Sequence, residues 1–545
     1  MNKIIGFTVS KSKINHKDID VFNRGLKLLE LKKCGFYVYL WGVNDIEECK
    51  VNGKYTLSFP FSETLLDRNV LISFENENIV VENDWLGSIP VFYNEKEAIV
   101  STLSLKTLKN KEIHPEGLSN FVEFGYSVLQ QTPFNDVKFM RYFSKLVVNE
   151  KGITVTYKED PVLNENIFNK TGDEKIVFEK IKDYINAVEN TTKDEIILPT
   201  SGGYDSRLLN LCIKDKSRIR SFTYGLSDNQ SESFEVVHAK KIAEILETQW
   251  EQIELGGYNR YMGDWFKLFG ISTHLHGMYH IEFYKKILEQ HSFGENVTFL
   301  SGIIGDGWTG KVTVDQITNY NEVAKLAYSH GLNADKTQLL IQYNDDLRKS
   351  FFEENKYYLE NEKIRIIFLL RFKLILLSYL TIVPEYFAFP VWTPFLNFHI
   401  VVSMLNIPEE RRKNRIWQED IFREYGLDLE SMDLPKDTCN TLNYQAYMNH
   451  NFERLDVKIL CNYFNKRYLV KINEILLRKP SKLRESLYLL LYRINNQLMS
   501  IRYIRFVLNL LGFKYRNCGD IRDIHIPCPY QVIKTIELGL KNLDL

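Results

Sequence analysis

The stretch TSGGYDSR, residues 200–207, stands between the apolar run EIILP (195–199) and the segment LLNLCIK (208–214). A short buried strand, a small-residue loop and a helix in that order place the loop where parallel α/β sheets bind ligands. Gly202 and Gly203 let backbone approach phosphate oxygens, and a helix N-terminus offers free N–H groups to an anion. Ser201 and Ser206 add hydroxyl donors. Asp205 repels phosphate unless a cation lies between, and Mg²⁺, held by one or two carboxylates plus phosphate oxygens, is the natural mediator. The structural alternative is a Ser/Gly turn with Asp205 as N-cap, opening the helix DSRLLNLCIK. The loop is not the P-loop GxxxxGK[ST], because no lysine follows the glycines.

Outward from this loop the pattern alternates. Residues 178–188 have helical spacing, RIRSFTYG (218–225) reads as a strand, EVVHAKKIAEIL (235–246) as a helix, and QWEQIEL (249–255) and NVTFLSG (296–302) as further strands. Strands alternating with helices of a dozen residues imply βαβ units and a parallel sheet. Beyond residue 320 the chain reads as mostly helical. The first 160 residues are different: short apolar runs at 70–74, 79–81, 90–93 and 98–102 are separated by Asn, Asp and Glu clusters, as in a meandering sheet. Residues 145–157, KLVVNEKGITVTY, form a hairpin around a turn at 149–152.

At 545 residues the chain is too long for one compact core and implies two or three domains. The composition, 44% hydrophobic and 26% charged, is that of a soluble globular protein, and a net charge of −1 supplies no global field for nucleic acid. The beginning, MNKIIGFTVSKSK, lacks the apolar core of a secretory signal. Residues 366–389 are apolar enough to be weighed as a membrane span, but Arg371, Lys373, Glu385 and Pro384 favour a buried helical pair. Seven cysteines without a CxxC fit neither a zinc site nor a disulfide framework, and a reducing cytoplasm is expected.

SGGYDS resembles the SGGxDS pyrophosphatase loop of the asparagine synthetase family, whose members cleave ATP between the α and β phosphates. SFTYGLSDNQSESFEVVHAKKIAEILETQWEQIEL is similar to the family's next strand, acidic loop, helix and strand, and LSGIIGDGWTGK to its second phosphate-side motif, SGEGADE. TPFLNFHIVVSMLNIP resembles the "PFLD" helix, and in the first half NDWLGSIPVFYN, VSTLSLKTL and IHPEGLSNFVEFGY match in order, so the likeness runs over residues 5–436. It implies an α/β protein: an Ntn-like α+β sandwich of the glutaminase type (1–165), a doubly wound parallel-sheet PP-loop ATP pyrophosphatase domain (166–450) and a helical C-terminal extension (451–545).

The resemblance further implies an ATP- and Mg²⁺-dependent ligase. A substrate carboxylate attacks the α-phosphorus, pyrophosphate leaves, and an amine acceptor displaces AMP from the acyl-adenylate. Ser201, Gly202, Gly203, Ser206 and Gly305 would cradle pyrophosphate, Asp205 and Asp306 would hold Mg²⁺, and backbone around Leu198, Tyr224 and Gly225 would frame the adenosine. Lys436 falls where the family keeps a lysine on the developing phosphate charge, with Arg411, Arg412, Lys413 and Arg415 as competing cations. Two departures stand out. The glutaminase nucleophile, a cysteine directly after the initiator Met, is Asn2, so the first domain is expected to be a scaffold without glutamine hydrolysis. The glutamate of SGEGADE that serves amine transfer is Ile303. Both resemble β-lactam synthetases and lasso-peptide cyclases, and SGGYDSR followed by FTYG also occurs among surface-polysaccharide biosynthesis proteins. Ammonia-dependent asparagine synthesis and an inactive nucleotide-binding partner protein are the alternatives; tRNA modification is disfavoured by the neutral charge.

HLHGMYH brings His274, His276 and His280 together without the spacing of a zinc helix. Ordinary packing is the expectation, and a histidine serving as the missing base the sharper alternative. Residues 476–516 carry nine Lys/Arg and one acidic residue, Glu485, interleaved with apolar side chains. That composition suits either a solvated face or peripheral contact with an anionic membrane surface.

Overall fold

The structure is a computed structural model, which describes residues 2–16, 19–58, 62–227, 229–328, 331–436, 440–477 and 528–542. It is a mixed α/β protein with three sheets, of which one is parallel. The basic stretch 476–516, weighed above for membrane contact, lies outside the described residues apart from 476–477.

Two six-stranded antiparallel sheets make up the first part of the chain. One runs in the order Lys138–Phe139, Phe92–Asn94, Ile99–Ser101, Lys3–Ser10, Phe36–Val43, Lys27–Lys33; the other is Gly152–Tyr157, Ser144–Asn149, Asn78–Asn83, Val70–Glu75, Lys54–Thr56, Lys50–Val51. Strand periodicity of two explains how they meet. In Ser144–Asn149 burial alternates, and Leu146 and Val148 turn inward to join Ile72 and Val81 from their own sheet and Ile4, Phe7 and Val9 from the other. The hairpin expected around 149–152 forms with Asn149 opposite Gly152.

The parallel sheet follows, in the order Gln249–Gln252, Ile219–Thr223, Ile196–Pro199, Thr298–Leu300, Val391–Trp392. Both faces are covered, and successive residues report it. Ile196, Leu198, Leu300 and Trp392 share a core with Ile181, Ile185, Leu208 and Leu209 on one face; Ile197, Phe222, Phe299 and Val391 pack with Trp265, Ile281, Tyr284 and Val383 on the other. The fifth strand departs from the mostly helical expectation beyond residue 320. It is two residues long, held between Pro390 and Pro394, and only its parallel pairing with Phe299 and Leu300 makes it a strand.

The two halves share their cores. Both clusters that sandwich the parallel sheet contain residues from the first 165, among them Trp85 and Phe121 in one and Ile5, Trp41 and Leu103 in the other. Buried ion pairs cross the junction. Arg371 is bidentate to Asp160 at 2.6 and 2.9 Å and donates to Trp85 O, and Arg68 is bidentate to Glu385 at 2.7 and 2.8 Å. Arg371 and Glu385 are two of the charges that argued against a membrane span. Glu362–Tyr386 is long and apolar enough to cross a bilayer, but 78% of its most apolar window is buried, as the helices Glu362–Leu377 and Tyr379–Tyr386. Helix Cys528–Lys541 closes the described chain and packs on helix Pro115–Phe124 of the first half.

Candidate functional site

The strand order decides where a ligand can sit. From the central strand Ile196–Pro199 the chain winds outward through two strands on one side, then crosses back and adds Thr298–Leu300 and Val391–Trp392 on the other. Loops leaving Pro199 and Leu300 therefore open side by side at the carboxyl ends of adjacent strands, at the topological switch point, where open α/β sheets bind ligands. These are the loops of TSGGYDSR and SGIIGDG. They line a cavity of about 550 Å³.

The first loop is braced internally. Ser201 N donates to Ser206 Oγ at 3.1 Å, and Gly203 N donates to Ser201 Oγ at 3.2 Å. Gly202 sits against the helix Phe234–Leu246, where a Cβ would meet the Phe234 ring at 2.4 Å. Helix Tyr204–Cys212 begins at Tyr204, with Gly203 in the N-cap position and no side chain capping it. Asp205 is thus in the first turn and is not the N-cap, which corrects the structural alternative. Its carboxylate turns to the second loop and accepts a hydrogen bond of 2.8 Å from Asp306 N. First-turn N–H groups have no intrahelical partner, so the loop end of this helix remains receptive to an anion.

Close approach of the two loops depends on glycine. A Cβ on Gly305 would lie 2.5 Å from Asp205 Cγ, and one on Gly302 would lie 3.2 Å from Asp205 Cβ. Between them Ile304 has φ +53°, a left-handed conformation costly for a β-branched residue. Asp205 Oδ1 is buried without a hydrogen-bond partner. Burial, then the Asp306 carboxylate, push the Asp205 pKa up to about 8, while the Asp306 N–H, Arg415 and Lys311 pull it back.

Two adjacent carboxylates, one with an orphaned buried oxygen, are the hard-oxygen donor set that suits Mg²⁺, the remaining ligands coming from phosphate and water. Among the described residues no group of three or more His, Cys, Asp or Glu could hold a metal ion. A partly hydrated Mg²⁺ shared with phosphate does not require one.

Among the described residues, three cations reach the cavity. Lys311 Nζ is 3.7 Å from Asp306 Oδ2. Arg415 lies with its guanidinium 3.8 Å from the Tyr204 ring centre, presented by left-handed backbone at Asn414 and Arg415 (φ +57° and +64°) just before helix Ile416–Glu424. Lys373 comes from the buried helix Glu362–Leu377. Lys436 is exposed and does not line the cavity; its neighbour Pro435 meets His238 Nε2 through its carbonyl at 2.8 Å. Of the competing cations, Arg411 pairs with Glu174 and Asp420 away from the cavity, and Arg415 is the one that lines it. Glu235 also lines the cavity, with Oε2 buried and unpartnered and its pKa raised by burial. Glu235, Lys311 and Lys373 carried no spacing signal in the sequence, since each comes from a different helix or loop.

Of the remaining expected site residues, Ser201, Gly203, Ser206 and Tyr224 line the cavity. Leu198, Gly202, Gly225 and Gly305 stand behind it: Leu198 is core, and a Cβ on Gly225 would meet Gln230 O at 2.2 Å. Ile303 is buried and lines the cavity with an apolar side chain. The histidines are packed side chains. His274 Nδ1 meets Gly125 O at 2.8 Å, His276 Nδ1 meets His274 O at 3.0 Å, and His276 and His280 both set their rings edge-on to Tyr379. Only His280 reaches the cavity, and burial pushes its pKa down to about 3, so it is a weak base. Asn2, at the expected nucleophile position, donates to Glu48 and accepts from Asp45 N, a structural use of its amide.

Set beside known proteins, the chain matches no protein-family model and no curated protein.

Proposed function

We propose that the chain is an ATP- and Mg²⁺-dependent carbon–nitrogen ligase of asparagine synthetase-like type that does not use glutamine. The carrying observation is the meeting of Asp205 and Asp306 at the switch point of a parallel sheet, above a Gly/Ser loop that opens a helix. On this reading the paired antiparallel sheets correspond to the Ntn-like sandwich and the parallel sheet to the PP-loop pyrophosphatase.

Asp205 and Asp306 would hold Mg²⁺, which neutralises charge on the phosphates when bound. The protein's own groups supply the rest. The first-turn N–H groups of helix Tyr204–Cys212 receive phosphate oxygens, with the Ser201 and Ser206 hydroxyls beside them. Arg415 and Lys311 place positive charge where the leaving pyrophosphate gains negative charge. The substrate carboxylate oxygen forms a bond to the α-phosphorus as the bond to the bridging oxygen breaks, and that electron pair departs with pyrophosphate. An amine nitrogen then attacks the acyl carbon, AMP leaves with the electron pair of the broken C–O bond, and the proton shed by the amine passes to water. Asn2 offers no nucleophile for releasing ammonia from glutamine, so the amine enters from solution or from a partner.

ATP–pyrophosphate exchange over a panel of carboxylic acids tests the reading. Acid-dependent exchange is expected in the wild type, falling at least about 10²-fold in Asp205→Asn, in the range seen when one electrostatic group is removed from a preorganised site. Undiminished exchange in Asp205→Asn would sink the proposal.

A further inference from the structure

The two walls of the cavity differ in chemistry. On the side of the strand Ile219–Thr223 stand aromatic rings, Tyr224, Phe283 and Tyr284, together with Glu235. Flat rings suit a nucleobase. On the side of Thr298–Leu300 the wall is mostly aliphatic: Ile303, Ile304, Leu369, Leu376 and Leu377 stand there with Phe299, whose ring lies 5.7 Å from that of Tyr284 where the two walls join. Its leucines come from helices Glu362–Leu377 and Tyr379–Tyr386, whose own side chains are mostly buried, so the wall is a continuation of the core.

Charge on the aliphatic wall is one-sided. Lys373 stands there, and none of the cavity-lining residues contributed by the two helices is a carboxylate. Burial pushes the Lys373 pKa down and the Asp306 carboxylate of the second loop raises it, and both residues line the same cavity. Asp306 itself is 3.7 Å from Lys311 and faces Asp205 through its N–H. Glu235 belongs to the opposite wall, close enough to act on Tyr224.

An α-amino acid substrate brings an ammonium that must be paired once it leaves water, and aspartate brings a second carboxylate as well. The aliphatic wall pairs neither. A single carboxylate with an apolar body meets both of its features: a cation for the reacting group and leucine side chains for the rest.

Resting on the ligase reading, we infer that the acid activated here is a monocarboxylic acid with an apolar alkyl or aryl body, seated on the leucine wall with its carboxylate toward Lys373. The same wall offers an amino-acid ammonium no carboxylate, so aspartate and related amino acids are expected to be the poorer substrates.

The full chain is first tested for ATP binding with Mg²⁺ by equilibrium dialysis, then for ATP–pyrophosphate exchange with hexanoate, benzoate and phenylacetate against aspartate and glutamate at matched concentrations. At least one apolar acid is expected to support exchange ten times faster than aspartate. Lys373→Met is expected to raise the apparent KM for that acid about tenfold, with ATP binding read in parallel. Exchange with aspartate or glutamate as fast as with every apolar acid overturns the inference and leaves the ligase reading standing. So does bound nucleotide with no exchange from either class, or an unchanged KM in Lys373→Met. Failure to bind ATP at all overturns the ligase reading, and the inference with it.

Discussion

Arg207 has no exposed surface, yet its guanidinium reaches across the site's edge. It donates to Gly202 O at 3.0 Å, to Leu427 O at 3.3 Å and to both carboxylate oxygens of Glu430 at 2.8 and 3.0 Å. The side chain therefore fixes the carbonyl of the first loop glycine relative to a segment more than two hundred residues away. Removing it leaves these acceptors without their donor, and hydrogen bonds to charged groups contribute about 1.5–3 kcal/mol each. Because Glu430 can turn to water, Arg207→Met is expected to lower unfolding stability by about 2–3 kcal/mol in all, seen as a lower urea midpoint. Apparent ATP affinity should fall with it, and a lower midpoint with unchanged affinity would limit Arg207 to stability. The sequence shows Arg207 only as a polar residue inside a helix. Its partners are named by folding, because a guanidinium finds carbonyls by position in space.

At the scale of the element, the two switch-point loops behave as one unit whose geometry rests on Gly305. Ala at that position would place a methyl 2.5 Å from Asp205 Cγ and 2.7 and 2.8 Å from its oxygens. Overpacking of this kind costs about 1–3 kcal/mol, here at the group proposed to bind the cation. Gly305→Ala is expected to abolish exchange while the protein still folds cooperatively. Gly203→Ala is the matched control: its Cβ would meet only Ser201 Oγ, at 3.2 Å, and its φ of −70° suits any residue. It should lose less than tenfold. Equal losses in the two variants would show that loop flexibility, not the contact with Asp205, is what matters. The loops themselves were readable from Gly, Ser and Asp placed between apolar runs. Their mutual contact was implied only by the family resemblance, since nothing local relates residue 205 to residue 306.

For the molecule as a whole, pH probes how the buried ring cluster is held. Burial lowers His276 and His280 from an ordinary value of 6.5 to about 4 and about 3. Below pH 6.5 the unfolded chain takes up two protons there that the folded chain refuses, so stability falls as pH drops from 6.5 toward 4. Asp205 opposes this with one proton, because its folded pKa is raised to about 8. His276 and His280 alone contribute up to about 2.7 kcal/mol per pH unit, beside the further uptake at His274 and His16, which burial also holds below their ordinary value. Urea midpoints measured between pH 6.5 and 4.5 should decline less steeply with falling pH in the His276→Gln/His280→Gln double variant than in the wild type. An unchanged slope in the double variant would assign the acid sensitivity elsewhere.

Much of the architecture was legible along the chain. Apolar runs of four or five residues separated by helical spacing specify parallel strands, and the alternation in 145–157 specifies a hairpin, because both depend on side-chain period alone. The candidate loop and its Asp205 were legible for the same reason, whereas Asp306 was marked as its partner only through the resemblance of LSGIIGDGWTGK to SGEGADE. Three things were decided only in three dimensions. Val391–Trp392 is a strand because Phe299 and Leu300 pair with it. Arg415, Lys311 and Lys373, and not Lys436, bring charge to the cavity, because side-chain length and backbone direction determine which cations converge. The apolar wall beside Ile303 exists only once a buried helix pair lies against the switch point, a contact between segments with no local relation in sequence.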